Sequence, residues 1–384
     1  MRIYLDHNAT TPVEPEAADA MAAALRDHFG NPSSVHAFGQ QAKALLDEAR
    51  TAVARLLGAS PAEVVFTGSG TEADNLALRG VQPRSPASPR PHLIVSAIEH
   101  EAVGQTARAL ADLGWQTTVL PVDGAGLVNP DDLRQAIGHG ASLVSVMHAN
   151  NETGTIQPIS TLAGIAHEHG ALFHTDAVQS AGKVPLDVAA LGVDLLSIAA
   201  HKFGGPKGVG ALWMRRGVSL SPALTGGRQE RGRRAGTENV PGIAGLGVAA
   251  RRAIDRVGRS SAVAALRDRL EGELLRRIPG TAVNGDPVRR LPNTTSISFD
   301  GVEGESLVIA LDLEGIAVSA GSACSSGTYE PSHVLRALGL PPGRVQSAVR
   351  FSLGPYTEAA EIESVLEVVP CVVERMRQAA RPGS

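Results

Sequence analysis

Short apolar runs alternate with amphipathic stretches along the first half of the chain. The apolar runs predict strands at residues 63–67, 92–96, 141–147 and 194–200, because such runs are typical of strands buried on both faces. Between them, apolar residues recur three or four positions apart, as expected for helices that cover a sheet. The alternation predicts a doubly wound or related open α/β sheet with mainly parallel strands.

The pattern changes in the second half of the chain. A polar loop at residues 226–241 leads into a helical region at residues 241–278, which is expected to divide near Arg259. The remainder mixes short strands, such as residues 295–299 and 349–353, with amphipathic helices. This mixture predicts a second, smaller α+β domain.

Length, charge and cysteine content narrow the class of protein. A chain of 384 residues exceeds one ordinary core, so two domains are expected. The net charge of -4 argues against a broad nucleic-acid surface, and the basic run at residues 228–234 is interpreted as a solvated loop.

The N-terminus lacks an apolar core of signal-peptide length, and no run approaches the roughly 18 apolar residues of a membrane span, which predicts a cytoplasmic protein without a membrane partner. Cys324 and Cys371 are too few for a disulfide framework or a paired-cysteine metal site.

An aspartate and a lysine each follow a predicted strand in the segment 173–208. Asp176 closes one apolar run and Lys202 follows the next, and ligands of parallel sheets bind at the carboxyl ends of the strands. A carboxylate beside a lysine in a poorly solvated crevice suits pyridoxal phosphate, because the carboxylate keeps the ring nitrogen protonated and the amine binds the aldehyde as a Schiff base. The alternative is a structural ion pair at the sheet edge.

Lysine is rare in this chain, which restricts the Schiff-base candidates. The 35 basic residues include only Lys43, Lys183, Lys202 and Lys207. Lys43 lies in a polar helical stretch, Lys183 in a connection, and Lys207 in a turn rich in glycine and proline. Lys202 alone directly follows an apolar strand, so we expect it to carry the cofactor.

A glycine-rich turn joins the first strand of the sheet to a helix. The residues from Gly68 to Glu72 include Gly70 and Thr71, and N–H groups at such a helix start bind phosphate. The same glycines with Ala73 also satisfy the loose dinucleotide fingerprint, so a nicotinamide or flavin enzyme is a competing interpretation. The proline-rich stretch that follows weakens it. A tight turn without a ligand is the third interpretation.

Four further side chains are candidates with two interpretations each. His100 follows a strand and either stacks on a planar cofactor or caps the next helix. Asn150 and Asn151 supply amide groups at the same sheet edge or are ordinary turn residues. Arg350 interrupts an apolar run, and its side chain either binds a substrate carboxylate or points to solvent.

The two cysteines differ in their surroundings. Cys324 lies among small residues, as in a mobile loop whose sulfur visits a buried site and then an outside partner. Cys371 is flanked by valines and is expected to be a buried structural cysteine.

Taken together, these motifs resemble the pyridoxal-phosphate-dependent cysteine desulfurases of the class-V aminotransferase family, in the group whose catalytic cysteine lies on a longer mobile loop. The resemblance runs from YLDHNATTP at Tyr4 through GNPSS, TEADN, EH, NNETG, HTDAVQSAGK, HKFGGPKG, RAGTEN and SAGSACSSG to RFSLG, which ends at Gly354. So many motifs in one order cover nearly the whole chain.

The resemblance implies the fold of the type I pyridoxal-phosphate enzymes, like that of aspartate aminotransferase. A large cofactor domain would span residues 16–258, and a small α+β domain would combine residues 1–15 with residues 259–384. The mobile loop with the catalytic cysteine would cover about residues 319–330. A homodimer with active sites near the interface is also implied.

The resemblance also implies a role for each matching side chain. Lys202 would form the Schiff base, Asp176 would pair with the pyridine nitrogen, and Gln179 would donate to the phenolic oxygen. His100 would stack on the cofactor ring, and Asn151 would also contact the cofactor. The residues at the phosphate would be Gly70, Thr71, His201 and the partner subunit's Thr237. Asn151 and Arg350 would bind the carboxylate of the substrate.

The implied reaction converts L-cysteine to L-alanine with Cys324, Lys202 and His100 as catalytic residues. Cys324 would keep the sulfur as a persulfide for an acceptor protein in iron–sulfur assembly, tRNA thiolation or DNA sulfur modification. A selenocysteine lyase or an aminotransferase of the same cofactor class, a dinucleotide-binding oxidoreductase and a non-catalytic sulfur-trafficking scaffold are the alternatives. One position departs from the family: Ala199 replaces a serine that often meets the phosphate, which implies weaker cofactor retention or a compensating donor nearby.

Overall fold

A computed structural model of the chain describes residues 2–81, 91–138, 140–320 and 331–380. Within this part of the chain, the strands are short and fall into three sheets. They are β1 (Ile3–Tyr4), β2 (Val64–Thr67), β3 (His92–Ser96), β4 (Gln116–Leu120), β5 (Leu143–Ser145), β6 (Leu172–Asp176), β7 (Leu195–Ala199), β8 (Gly210–Met214), β9 (Thr281–Val283), β10 (Thr294–Phe299), β11 (Ile316–Ala317), β12 (Ser319–Ala320) and β13 (Ala348–Ser352).

Helices cover these sheets and connect their strands. In chain order they are α1 (Pro15–Asp27), α2 (Ala37–Leu56), α3 (Gly70–Gly80), α4 (Glu101–Asp112), α5 (Pro130–Ile137), α6 (Ile159–Glu168), α7 (Val188–Leu191), α8 (Val240–Val257), α9 (Ser260–Arg277), α10 (Gly304–Leu313), α11 (His333–Ala337), α12 (Pro342–Gln346) and α13 (Ala359–Ala379). Side-chain caps fix several of the starts, as at Ser69, whose side chain accepts from the N–H of Glu72 before α3. The helical region after residue 240 divides between Val257 and Ser260, as predicted.

The largest sheet has seven strands in the order β2-β8-β7-β6-β5-β3-β4. The strands from β3 to β7 pair in parallel, while β8 runs antiparallel to both β2 and β7. Successive residues of β7 point to opposite faces: Leu195 packs into one apolar cluster and Leu196 into the other. Apolar cores therefore lie on both faces, which explains why these strands read as continuous apolar runs. The predicted mainly parallel sheet is confirmed.

A second sheet, entirely antiparallel, has the order β12-β13-β10-β9. Its core combines Ile3 and Leu5 from the N-terminus with apolar residues between Leu270 and Val373. The parallel pair of β1 with β11 and a bridge between Asp6 and Ser352 hold the N-terminal residues against this sheet. Both ends of the chain thus share one core, although the exact division at residues 15/16 and 258/259 stays a prediction.

Two regions differ from the sequence-based expectations. The basic run at 228–234 is only partly solvated, because Glu230 is buried in a paired contact with Arg50 and Arg234 pairs with Glu72. Cys371 is exposed rather than buried, because it lies on the outer face of α13 while neighbouring Val369 and Val372 occupy the core face.

The described residues include no helix that is both long enough and apolar enough to span a lipid bilayer. They also contain no group of three or more side chains placed to bind a metal ion.

Candidate active site

A cavity of about 180 Å³ lies at the carboxyl ends of β6 and β7, beside the N-terminus of α3. Eight of the side chains singled out from the sequence line it. They are Gly70, Thr71, His100, Asn151, Asp176, Gln179, His201 and Lys202. Thr237 is exposed elsewhere on the surface, Arg350 lies one residue layer behind the cavity, and Cys324 lies outside the described residues. The structure therefore brings most of the predicted site together.

Asp176 is the last residue of β6 and is almost completely buried. Its Oδ1 accepts a hydrogen bond from the N–H of Val178 at 2.8 Å. Burial raises the pKa of the carboxyl, while His100, the Val178 N–H and Lys202 act in the opposite direction. The carboxylate would stabilise a nearby cation strongly, because charges interact more strongly in a site that excludes water.

Lys202 ends a single 3₁₀ turn that follows β7. Its Nζ donates to the backbone oxygens of Asn8 at 2.6 Å and Ala9 at 2.9 Å. Burial, followed by the charge of Arg350, lowers the pKa of the Lys202 amine to about 8, although Asp176 and Asp6 oppose the shift. About a tenth of the amine is therefore neutral at pH 7, far more than for an ordinary lysine.

The low pKa of Lys202 can be checked directly, because the chain has only four lysines. We expect the ¹³C signal of reductively methylated Lys202 in cofactor-free protein to titrate with a midpoint near pH 8. Below this pH the amine is protonated and cannot attack an aldehyde, so cofactor capture should slow as the pH falls. A Lys202→Arg variant identifies the signal, and a midpoint near the ordinary lysine value would contradict the expectation.

The N-terminus of α3 forms a second wall of the cavity. The Ser69 side chain accepts from the Glu72 N–H at 3.0 Å and so caps the helix. Gly70 and Thr71, the first two residues of α3, line the cavity. A Cβ on Gly70 would lie 2.8 Å from the side chain of Val178, so glycine is required at this position. Such a helix start favours a phosphate group.

Two histidines have defined roles in the wall. His100 both lines the cavity and caps α4, because its Nδ1 accepts from the Ala102 N–H at 3.1 Å. In the neutral ring the proton therefore resides on Nε2. His201 contacts the hydroxyl of Thr10 at 3.2 Å. Burial, and then the charges of three lysines including Lys202, lower its pKa to about 4, so its ring is neutral at pH 7.

Arg350 is buried, so the interpretation that it points to solvent is wrong. Its Nη2 pairs with Asp6 Oδ1 at 2.6 Å and its Nη1 donates to the backbone oxygen of Asn151 at 2.9 Å. Its Nε is buried without a hydrogen-bond partner within the described region. A buried donor without an acceptor is costly, so this nitrogen is a candidate to bind an anion.

The adjacent asparagines have separate functions. Asn150 is fully buried, and its side chain accepts from the N–H groups of Glu152 and Thr153, as expected for a turn residue. Asn151 lines the cavity. The structure therefore assigns one interpretation to each residue.

Sequence reasoning missed two polar residues that support the site. Asn8 is buried and bonds to Lys202, Lys183 and Gln179, although no local pattern within the motif YLDHNATTP singles it out. Asp74 lines the cavity, and its pKa is raised well above the ordinary value by burial and by the charge of Asp176. Only its position two residues after Glu72, within the TEADN motif, could have indicated a role for Asp74.

Comparison with known proteins identifies the family. Residues 3–365 match the Aminotransferase class-V family. The chain belongs to this family. Its members use pyridoxal 5′-phosphate, so this chain is a pyridoxal-phosphate-dependent enzyme, and the dinucleotide interpretation of the glycine-rich turn is wrong.

Relatives narrow the activity within the class-V aminotransferases. The cysteine desulfurase of Trichormus azollae is 49% identical over 378 residues, which span 98% of this chain and 94% of that protein. A cysteine desulfurase of Cereibacter sphaeroides is 50% identical over 382 residues, or 98% of this chain and 97% of the relative. The activity of this chain is that of a cysteine desulfurase, which removes sulfur from L-cysteine and passes it to an acceptor.

Solved structures agree with the family. A NifS-like protein superimposes with a TM-score of 0.91 at 37% identity, covering 98% of this chain and all of the other. A structure named SspA in complex with cysteine has a TM-score of 0.81 at 34% identity, covering 93% of this chain and 100% of the other. The predicted type I fold is confirmed.

The cavity residues fit pyridoxal phosphate by their chemistry. An amine with a low pKa, a buried carboxylate and the N-terminus of a helix line the same space. Ala199 also lines it, and the nearby Ser69 uses its oxygen only as an acceptor from Glu72. The Ser69 hydroxyl proton can therefore supply the compensating donor, while weaker phosphate retention stays a prediction.

Proposed function

We propose that desulfurisation takes place in this cavity, with Lys202 as the residue that binds the cofactor and Cys324 as the residue that receives the sulfur. The convergence of Lys202, Asp176 and the N-terminus of α3 on one cavity supports the assignment most directly. The same three features are those that an aldehyde, a pyridine nitrogen and a phosphate require.

Bound pyridoxal phosphate supplies an aldehyde that joins to amines and a ring that withdraws electrons from the α-carbon of the joined amino acid. Lys202 offers a partly neutral amine and can accept or return a proton near neutral pH. Asp176 presents its negative charge to the ring nitrogen. Gln179 would donate from Nε2 to the phenolic oxygen, and the first turn of α3 with His201 would bind the phosphate.

The substrate carboxylate is bound beside Asn151 by Arg350. In this structure Asp6 occupies one side of the guanidinium, while Nε is unpaired among the described residues. A carboxylate can therefore bind Arg350 without releasing Asp6, which keeps the guanidinium in place. The cysteine-bound SspA structure supports L-cysteine as the substrate of this site.

The position of β12 supports the assignment of sulfur transfer to Cys324. Ser319 pairs with Arg350, and β12 ends at Ala320, four residues before Cys324 in the sequence. The Cys324 thiolate attacks the sulfur of the bound cysteine, the carbon–sulfur bond breaks, and its electron pair stays on the carbon, which gains a proton to become alanine. Cys324 then holds a persulfide whose outer sulfur an acceptor thiol removes.

The second cysteine of the chain provides a control for this assignment. After incubation with ³⁵S-cysteine, we expect label that dithiothreitol releases on the peptide containing Cys324 and none on the peptide containing Cys371, which is exposed on α13. A Cys324→Ala variant should carry no label although it still binds the cofactor. Equal labelling of both peptides, or label that persists in this variant, would contradict the proposal.

The second subunit and the sulfur acceptor are the remaining partners that we propose for this enzyme. We infer a cytoplasmic homodimer in which Thr237 of one subunit reaches the phosphate of the other. The Glu230–Arg50 and Arg234–Glu72 pairs support this, because they fix the loop before Thr237 while Thr237 stays exposed. The acceptor that we propose is a protein of iron–sulfur assembly or of thiolation.

A further inference from the structure

Lys183 is a second amine at the cofactor site, and the mechanism above gives it no role. Its Nζ donates to Asn8 Oδ1 at 2.8 Å and to Gln179 Oε1 at 2.9 Å. Lys202 donates to the backbone oxygen of the same Asn8. Two of the four lysines of the chain therefore meet at one asparagine.

The turn before Lys183 fixes the direction of its side chain. Gly182 adopts a φ of +74°, and a Cβ there would lie 2.7 Å from the Cβ of Phe203. Only glycine fits both the backbone conformation and the contact. The amine is thus held against Asn8 and Gln179, which are 1% and 6% exposed.

The amine determines which end of each amide faces it. A side-chain amide has an oxygen that accepts and an NH₂ group that donates. With or without its third proton, the Lys183 amine offers an N–H group to each of the two oxygens. The NH₂ groups must then point away: Gln179 Nε2 donates to the Asn8 backbone oxygen at 3.0 Å, and Asn8 Nδ2 donates to Thr294 Oγ1 at 2.9 Å and to the Asn151 oxygen.

We propose that Lys183 is a positioning residue that orients the Gln179 amide so that its NH₂ group, and not its oxygen, faces the cofactor. This inference rests on the proposed contact between Gln179 and the phenolic oxygen of pyridoxal phosphate. A reversed amide would place its oxygen against the Asn8 backbone oxygen and the phenolic oxygen of the cofactor, and buried contacts between two acceptors are costly. Lys183 therefore acts on the cofactor through Gln179 and does not touch it.

The test removes the amine and follows the spectrum of the cofactor. In Lys183→Met, we expect the absorption band of the Lys202-bound cofactor to move and the affinity for pyridoxal phosphate to fall about tenfold, the upper end of the net contribution of one hydrogen bond. Lys207→Met, which removes an exposed lysine, serves as the matched control and should change neither quantity.

A double-mutant cycle separates positioning from a merely structural effect. If Lys183 acts through Gln179, then Lys183→Met should change neither the band nor the cofactor affinity in a Gln179→Ala background. Equal effects in both backgrounds, or an unmoved band in Lys183→Met alone, would overturn the inference. Should Lys183→Met fail to fold, Lys183→Gln replaces it, because an amide at this position cannot dictate the orientation of another.

The wild-type protein separates this inference from the proposed function. Borohydride should fix the cofactor on Lys202 in the wild type. If it does so and the cycle is additive, only the positioning role of Lys183 is wrong. If no cofactor is fixed on Lys202, both the proposed function and this inference are wrong.

Discussion

Lys202→Ala is expected to lower alanine formation from L-cysteine by roughly 10⁴-fold or more, as for groups that act in the reaction itself. Lys202 is the one lysine among the described residues that line the cavity, so the variant loses the base that exchanges protons near pH 7. Its fold should survive, because the Lys202 amine bonds only to backbone oxygens of Asn8 and Ala9, which water can satisfy instead.

The control for Lys202→Ala is Lys207→Ala, which removes an exposed lysine five positions later. It should retain full alanine formation. Added primary amines such as methylamine should partly restore Lys202→Ala, because they can supply the missing base. Activity of Lys202→Ala within tenfold of the wild type would rule out the assigned role.

Asp176→Asn is expected to reduce alanine formation by roughly 10³-fold, the scale of lost proton-transfer and charge stabilisation. Asparagine keeps the oxygen that accepts from the Val178 N–H and removes only the charge that holds the ring nitrogen protonated. Asp131→Asn, on the exposed surface of α5, tests the same chemical change away from the site and should have no effect.

Stability should move differently from activity in Asp176→Asn. The pKa of Asp176 and that of Asp74 are both raised by burial, and the two charges repel each other. Removing one charge should therefore leave the melting temperature of the cofactor-free protein unchanged or higher. A lower melting temperature with a proportional loss of activity would mean that the residue only supports the fold.

The sequence predicts the parts of this site that depend on local order. Asp176 and Lys202 end successive apolar runs, so their meeting at one sheet edge follows from the parallel pairing of β6 and β7. The anion site follows from the glycines that begin α3. These features need only the order of strands and helices along the chain.

Long-range contacts could not be predicted in this way. Asn8 and Lys183 are 175 positions apart, so nothing in either local pattern indicates their bond. For Arg350, strand alternation leaves two directions open. The partners Asp6 and Asn151, which decide between them, arrive from distant segments. The exposed face of Cys371 likewise depends on which side of α13 meets the second sheet.

The position of Asn8 has a consequence for biosynthesis. Its N–H donates to Ser352 Oγ, a partner 344 residues later in the chain, and its side chain bonds to Thr294. A ribosome must therefore synthesise the chain at least as far as Ser352 before Asn8 can reach its final place. Contacts of such sequence separation form slowly, so newly made chains should bind the vitamin B6 cofactor only after Ser352 has left the ribosome, and chaperones should meet them while the pocket still lacks one wall.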